Sequence, residues 1–309
     1  MAFDSSRRWN LPRLRSELGL LIAFTMGYSS HGLIGRERSL SSSLKSLCMT
    51  TKRSGLPLLI SAFTAIVLLL TVSASATTVV ALIDKRHHRV VLAADSLVGR
   101  YYAKTTDQAC KLIVEPGCAF AMAGFLDKPN PYFHLQDLGE QACQVQGTLK
   151  EQADAFLEIA RDPVSSIAQY LHDNEPQFYN DTFSNNGGEF SVVVFVGEEN
   201  RKPVAYARGF RVSSDGSATA FSNDITGTGA TGFFAGVTDH IAAYLKATPN
   251  WGHLDAVSLA RKLVGLEITA HPDEVGPPIT IFTVDRKGKQ KWVNQGICGV
   301  PPVAPPANP

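Results

Sequence analysis

From residue 77 onward, short Val-rich runs broken by polar turns alternate with segments whose apolar residues recur every three or four positions. Period-two runs of β-branched residues predict strands, and the three-to-four spacing predicts amphipathic helices. Residues 77–83 and 89–94 read as a β-hairpin around the polar turn 84–88, and residues 119–124 as a third strand after Pro116-Gly117. Leu149, Ala153, Phe156, Leu157 and Ala160 share one helical face. Past Pro163 the pattern resumes at Val164, Ile167 and Leu171, as a second helix or a kinked continuation. Residues 136–144 add an earlier helical turn. Beyond the Gly/Asn-rich loop 185–188, runs at 191–196, 204–211 and 218–222 predict an antiparallel meander. Phe234, Val237, Ile241 and Leu245 mark one further helix, and Val257, Ala260 and Val264 another. Residues 279–284 and 291–294 close the pattern as a hairpin. Segregated blocks of strands and helices point to an α+β fold rather than alternating βαβ units.

The first quarter of the chain follows a different pattern. Residues 54–83 carry no charge, and 56–72 are almost wholly apolar. Lys52 and Arg53 precede this stretch, and Ala74-Ser75-Ala76 follows it. A basic segment, an apolar segment and a small-x-small site define a secretory signal peptide, here residues 49–76, with cleavage after Ala76. The alternative is an uncleaved anchor formed by residues 56–72, the chain's one expected membrane contact. Residues 1–48 read as a disordered or mis-assigned upstream extension. Residues 77–298 form one domain, and 299–309 a Pro-rich tail.

Composition changes meaning once the chain is divided this way. The whole chain of 309 residues has a formal net charge of +1, but the 233 residues after Ala76 hold 20 Lys/Arg and 25 Asp/Glu. A mildly acidic, exported domain remains, without the cationic footprint of a nucleic-acid binder. Four of the five cysteines, Cys110, Cys118, Cys143 and Cys298, belong to it. They are free buried thiols or two disulfides, with three pairings open. The histidines show no HExxH or similar metal spacing, and neither metal nor cofactor is expected.

The start Thr77-Thr78-Val79-Val80, followed by Val90-Val91-Leu92-Ala93-Ala94-Asp95-Ser96, resembles the proteasome β-subunit family of N-terminal nucleophile hydrolases. Lys111-Leu112-Ile113, Ala123-Gly124 and Gly227-Thr228-Gly229 extend the likeness to about residue 294. Thr77 and Asp95 lie 18 positions apart, two more than is usual in the family, which the turn 84–88 accommodates. Asp95 and Lys111 lie 16 apart, matching the family.

The resemblance implies a four-layer αββα sandwich. It makes Thr77 the nucleophile, with its freed α-amine as base, Lys111 as a neighbouring cation and Asp95 as the group that holds Lys111. Gly124 would offer its backbone N–H to an oxyanion, and Thr228 and Asp273 would line the amine. The serine that the family carries three positions after Asp273 is Gly276 here, and Pro277-Pro278 replaces flexible glycines. The expected activity is hydrolysis of a peptide or amide substrate by acyl transfer to Thr77, unmasked by cleavage after Ala76. The family likeness also allows a homo-oligomer. Two alternatives are a non-catalytic structural or binding subunit and a small-molecule amidase or acylase of the same fold.

Overall fold

The computed structural model describes residues 77–100, 105–183, 188–226 and 232–299. The expectations for residues 1–76, for Thr228 and for the tail beyond 299 lie outside the described residues. In chain order the strands are β1 (Thr78–Asp84), β2 (Arg89–Ala94), β3 (Leu97–Arg100), β4 (Thr105–Gln108), β5 (Leu112–Glu115), β6 (Cys118–Gly124), β7 (Asp127–Pro129) and β8 (Tyr132–His134). Helices α1 (Leu135–Cys143), α2 (Leu149–Asn174) and α3 (Pro176–Thr182) follow. Then come β9 (Glu189–Glu199), β10 (Lys202–Val212), β11 (Ala218–Thr226) and β12 (Gly232–Gly236). Helices α4 (Asp239–Ala247) and α5 (Ala256–Ala270) and the hairpin β13 (Thr280–Asp285) and β14 (Gln290–Asn294) complete the fold.

Two five-stranded antiparallel sheets carry the architecture, ordered β12-β1-β2-β13-β14 and β11-β10-β9-β6-β5. Their central strands bury side chains on both faces, and the two faces differ in size. Along β6, Ala119, Ala121 and Ala123 join Val79, Ala81, Val90 and Leu92 of the first sheet in one apolar cluster. The alternate residues Cys118, Phe120 and Met122 instead meet the apolar stripe of α2. Val80, Leu82, Val91 and Ala93 meet Leu259, Ala260, Leu263 and Val264 of α5. The period of two in strands sorts residues in this way, with small side chains where the sheets meet and aromatics under α2. Among the described residues no helix is long and apolar enough to cross a membrane.

The hairpins and the meander fall where the periodicity put them. Pro163 sits inside one continuous 26-residue helix. Phe156, Ala160, Val164, Ile167 and Leu171 stay in register across it, and Thr148 and Glu151 form a capping box at the start. One reading needs correction. Phe234 belongs to strand β12, which pairs with β1, and the helix begins only at Asp239. The run Gly232–Gly236 is held by the ladder to β1, so its helical spacing with Ile241 is coincidental.

The four cysteines form two disulfides, Cys110–Cys298 and Cys118–Cys143. The first joins the residue before Lys111 to the turn after β14. The second ties β6 to the end of α1.

Candidate active site

Thr77 precedes β1 and is held by its backbone. Its carbonyl accepts the Val237 N–H at 2.9 Å, and the Thr78 hydroxyl donates to the Val237 carbonyl at 2.9 Å. Gly236 stands opposite Thr78 in the ladder with φ +80°. A Cβ there would lie 1.6 Å from the Thr77 carbonyl oxygen, so only glycine permits this approach. Thr77 is 1% exposed, and its Oγ1 has no hydrogen-bond partner among the described residues. Buried hydroxyls without partners are rare, and a reactive role is one of the few reasons for keeping one.

Asp95 follows β2 and is completely buried. Its Oδ1 accepts from the Thr78 N–H at 2.9 Å and from Lys111 Nζ at 2.8 Å. Its Oδ2 accepts from Leu97 N–H at 3.1 Å, Gly276 N–H at 3.2 Å and Lys111 Nζ at 3.0 Å. Four donor groups make five hydrogen bonds to this one carboxylate, which satisfies its acceptor capacity inside the protein. Lys111, 1% exposed, is therefore paired beside the peptide that joins Thr77 to Thr78. Burial pulls the Lys111 ammonium below the usual lysine range, against the opposing pull of the Asp95 charge and hydrogen bonds.

Gly124 ends β6 with φ +86°. A Cβ there would come within 2.4 Å of the Phe190 carbonyl oxygen. The same strand holds the lysine, since Met122 N–H donates to the Lys111 carbonyl at 3.0 Å. A Cβ added at Gly236 would also meet the Ala123 side chain at 3.6 Å, so the end of β6 runs beside β12.

Asp273 is not drawn into this network. It is exposed in the turn after α5, with no hydrogen bond to Thr77, Asp95 or Lys111. What reaches the site from that turn is the backbone of Gly276, which donates to Asp95 and accepts the Ser96 N–H at 3.0 Å. Ser96 Oγ donates to the Pro278 carbonyl at 2.6 Å, and Gln108 Nε2 to the Pro277 carbonyl at 3.0 Å. The Gly-Pro-Pro segment thus clasps Asp95 and Ser96 through main-chain groups, without a side chain at position 276.

Three participants escape a sequence reading: Gly236, Val237 and Glu189. Glu189 Oε1 accepts the Gly236 N–H at 3.0 Å. Burial pushes its carboxyl above the usual range, against the Gly236 hydrogen bond and the charge of Arg211. None of the three lies near Thr77 in sequence, and the glycine's role appears only once β12 is paired.

A cavity of about 210 Å³ opens beside Lys111, lined among others by Val98, Met122, Leu126, Asp127 and His134. A larger one of about 720 Å³ lies at the far end of β1, around Asp84 and Trp251, and none of the residues above lines it.

No protein-family model matches the chain, and no curated protein matches it. Among solved structures, the chain is similar to the Anbu (Gly-1) mutant from Hyphomicrobium sp. strain MC1. That likeness is 16% in identity, covers 71% of this chain and 87% of the other, and has a TM-score of 0.44.

Proposed function

We propose that the chain is the precursor of an exported N-terminal threonine hydrolase of the αββα sandwich type, acting on peptide or other amide bonds. The observation that carries this reading is the buried Lys111–Asp95 pair anchored to Thr78, beside a Thr77 hydroxyl that has no hydrogen-bond partner among the described residues. Cleavage after Ala76 frees the Thr77 α-amine, whose ordinary pKa of about 7.7–8.0 suits a base near neutrality. The amine takes the Oγ1 proton as the oxygen attacks the substrate carbonyl, forming a tetrahedral oxyanion. Lys111 offsets the developing negative charge, and the Gly124 N–H is the proposed oxyanion donor. Collapse expels the amine product, which leaves with the proton. Water then hydrolyses the Thr77 ester and regenerates the free hydroxyl. Asp95 positions Lys111 and the start of β1. Thr228 remains a proposed neighbour of the freed amine.

The cavity beside Lys111 is the proposed seat of the substrate side chain, apolar at Val98, Met122 and Leu126 and polar at Asp127 and His134. Two disulfides support an oxidising compartment, because cytosolic thiols stay reduced.

Intact mass of the exported protein, with and without an electrophile that acylates N-terminal threonine, tests the reading. A chain beginning at Thr77 that gains one adduct, absent in Thr77→Ala, supports it. A chain retaining residues before Thr77, or one that gains no adduct, overturns it and favours the non-catalytic binding subunit.

A further inference from the structure

Away from Thr77, the first turn of α4 and the last turn of α5 bring four side chains together. Asp239 and His240 come from α4, and Glu267 and His271 lie one turn apart at the end of α5. His271 Nε2 stands 3.1 Å from Asp239 Oδ1 and 3.8 Å from Glu267 Oε2. His240 Nδ1 stands 3.1 Å from Asp239 Oδ2 and 3.5 Å from Glu267 Oε2. One potential ligand atom from each residue lies within 4.8 Å of all the others.

Glu267 makes this more than a surface ion-pair cluster. Its side chain is inaccessible to solvent. Oε1 is fixed by the Ile241 N–H at 2.7 Å, whereas Oε2 has no hydrogen-bond partner among the described residues. A buried carboxylate oxygen is costly to leave bare. The two imidazole nitrogens that face it are too far for good hydrogen bonds. They suit co-ligands better, because bonds of about 2.0–2.2 Å to a tetrahedral ion separate its donors by roughly 3.3–3.5 Å.

We propose that Asp239, His240, Glu267 and His271 bind one divalent transition-metal ion of the zinc class. Two imidazoles with two carboxylates suit zinc, whereas calcium and magnesium prefer oxygen-only shells. Four protein donors close the coordination sphere, so the ion is structural. The Ile241 N–H acts as the outer partner that orients the Glu267 carboxylate. Single-chain reading misses the site because its halves, 239–240 and 267–271, lie on different helices.

The placement also gives the ion a task. Val237, two residues before Asp239, holds the backbone of Thr77 and Thr78, while Gly276, five residues after His271, holds Asp95. An ion at this junction clamps together the two segments that continue into the candidate active site.

Calorimetric titration of the purified protein with Zn²⁺, Co²⁺ and Ca²⁺ tests the proposal, alongside His240→Ala, His271→Ala and, as a control elsewhere, the exposed His253→Ala. Both ligand histidines are partly exposed, so circular dichroism should show folded variants. The expected result is one zinc equivalent, a visible spectrum typical of tetrahedral cobalt, no calcium binding and a Tm lowered by chelator. Affinity should fall by about tenfold or more in each ligand variant and stay unchanged in His253→Ala. Absence of stoichiometric zinc binding, or binding indifferent to His240→Ala and His271→Ala, overturns it.

Discussion

Lys111 donates to both oxygens of Asp95, at 2.8 and 3.0 Å, with both side chains sealed from solvent. Removing one member of a buried pair strands the other, at a cost of about 3–5 kcal/mol. The two members are not equivalent, however. Asp95 also receives the N–H groups of Thr78, Leu97 and Gly276, so it stays hydrogen-bonded when the lysine is gone. Lys111→Met should fall at the lower end of that range and Asp95→Ala at or above the upper end. Denaturant unfolding of both variants checks the order, and equal losses would contradict it.

Thr77 offers the opposite signature. Its Oγ1 is buried without a partner among the described residues, so the hydroxyl contributes cost rather than stability. Thr77→Val keeps the shape and removes the bare polar atom. Stability should hold or rise by about 1 kcal/mol, within the usual penalty for an unsatisfied buried group. Activity should vanish in the same variant and partly survive in Thr77→Ser. Paired unfolding and amide-hydrolysis measurements on the mature chain decide it. A clear loss of stability in Thr77→Val would mean that the hydroxyl is structural.

Gly236 fixes where Thr77 sits. A methyl group there would overlap the Thr77 carbonyl oxygen, and φ of +80° already disfavours any side chain. Gly236→Ala should destabilise by well over about 1 kcal/mol and displace Thr77, while the Lys111–Asp95 pair remains bonded. Adduct formation at Thr77 should fall at least in proportion. Unchanged labelling would show that the β12 contact does not position the nucleophile.

Glu189 gives the site a pH dependence of defined sign. Its carboxyl is raised in the folded protein, chiefly by burial, so the folded state binds the proton more tightly than the unfolded state. Its contribution is therefore fully present below the unfolded value of about 4.3, and it declines as pH rises through the higher folded value. Glu189→Gln keeps an oxygen acceptor for the Gly236 N–H and removes this titration. The variant's stability should fall less between pH 4.5 and 7 than that of the parent. Parallel pH profiles would refute the assignment.

The parts of the fold visible in the sequence are those with local causes. Alternation marked β1, β2 and β6, and the stripe from Phe156 to Leu171 marked α2, because each pattern is written within one element. Short pieces such as β3, β4 and β12 were not legible, since five or fewer residues carry too little period and are held by partners distant in sequence. Phe234 shows the failure directly, because its helical spacing was outvoted by a ladder to β1. At the site, the pairing of Asp95 with Lys111 was implied by the family resemblance, which their 16-residue spacing matches. The backbone clasp of Gly276, Pro277 and Pro278 was not, because main-chain donors and acceptors leave no mark on residue type.

The disulfides supply the last prediction. Cys110–Cys298 closes 188 positions of sequence and Cys118–Cys143 only 25. If each acts by restricting the unfolded chain, they contribute about 5 and about 3.5 kcal/mol respectively. Replacing both members of the first pair by alanine should therefore lower the unfolding midpoint more than replacing the second. The first pair also flanks Lys111, so its loss should reduce Thr77 labelling, whereas loss of the second should leave labelling close to that of the parent. Denaturation and labelling of the two double variants, after intact mass confirms two bridges in the parent, measure both effects. A larger loss from Cys118–Cys143 would place the control of stability in packing between β6 and α1 rather than in loop closure.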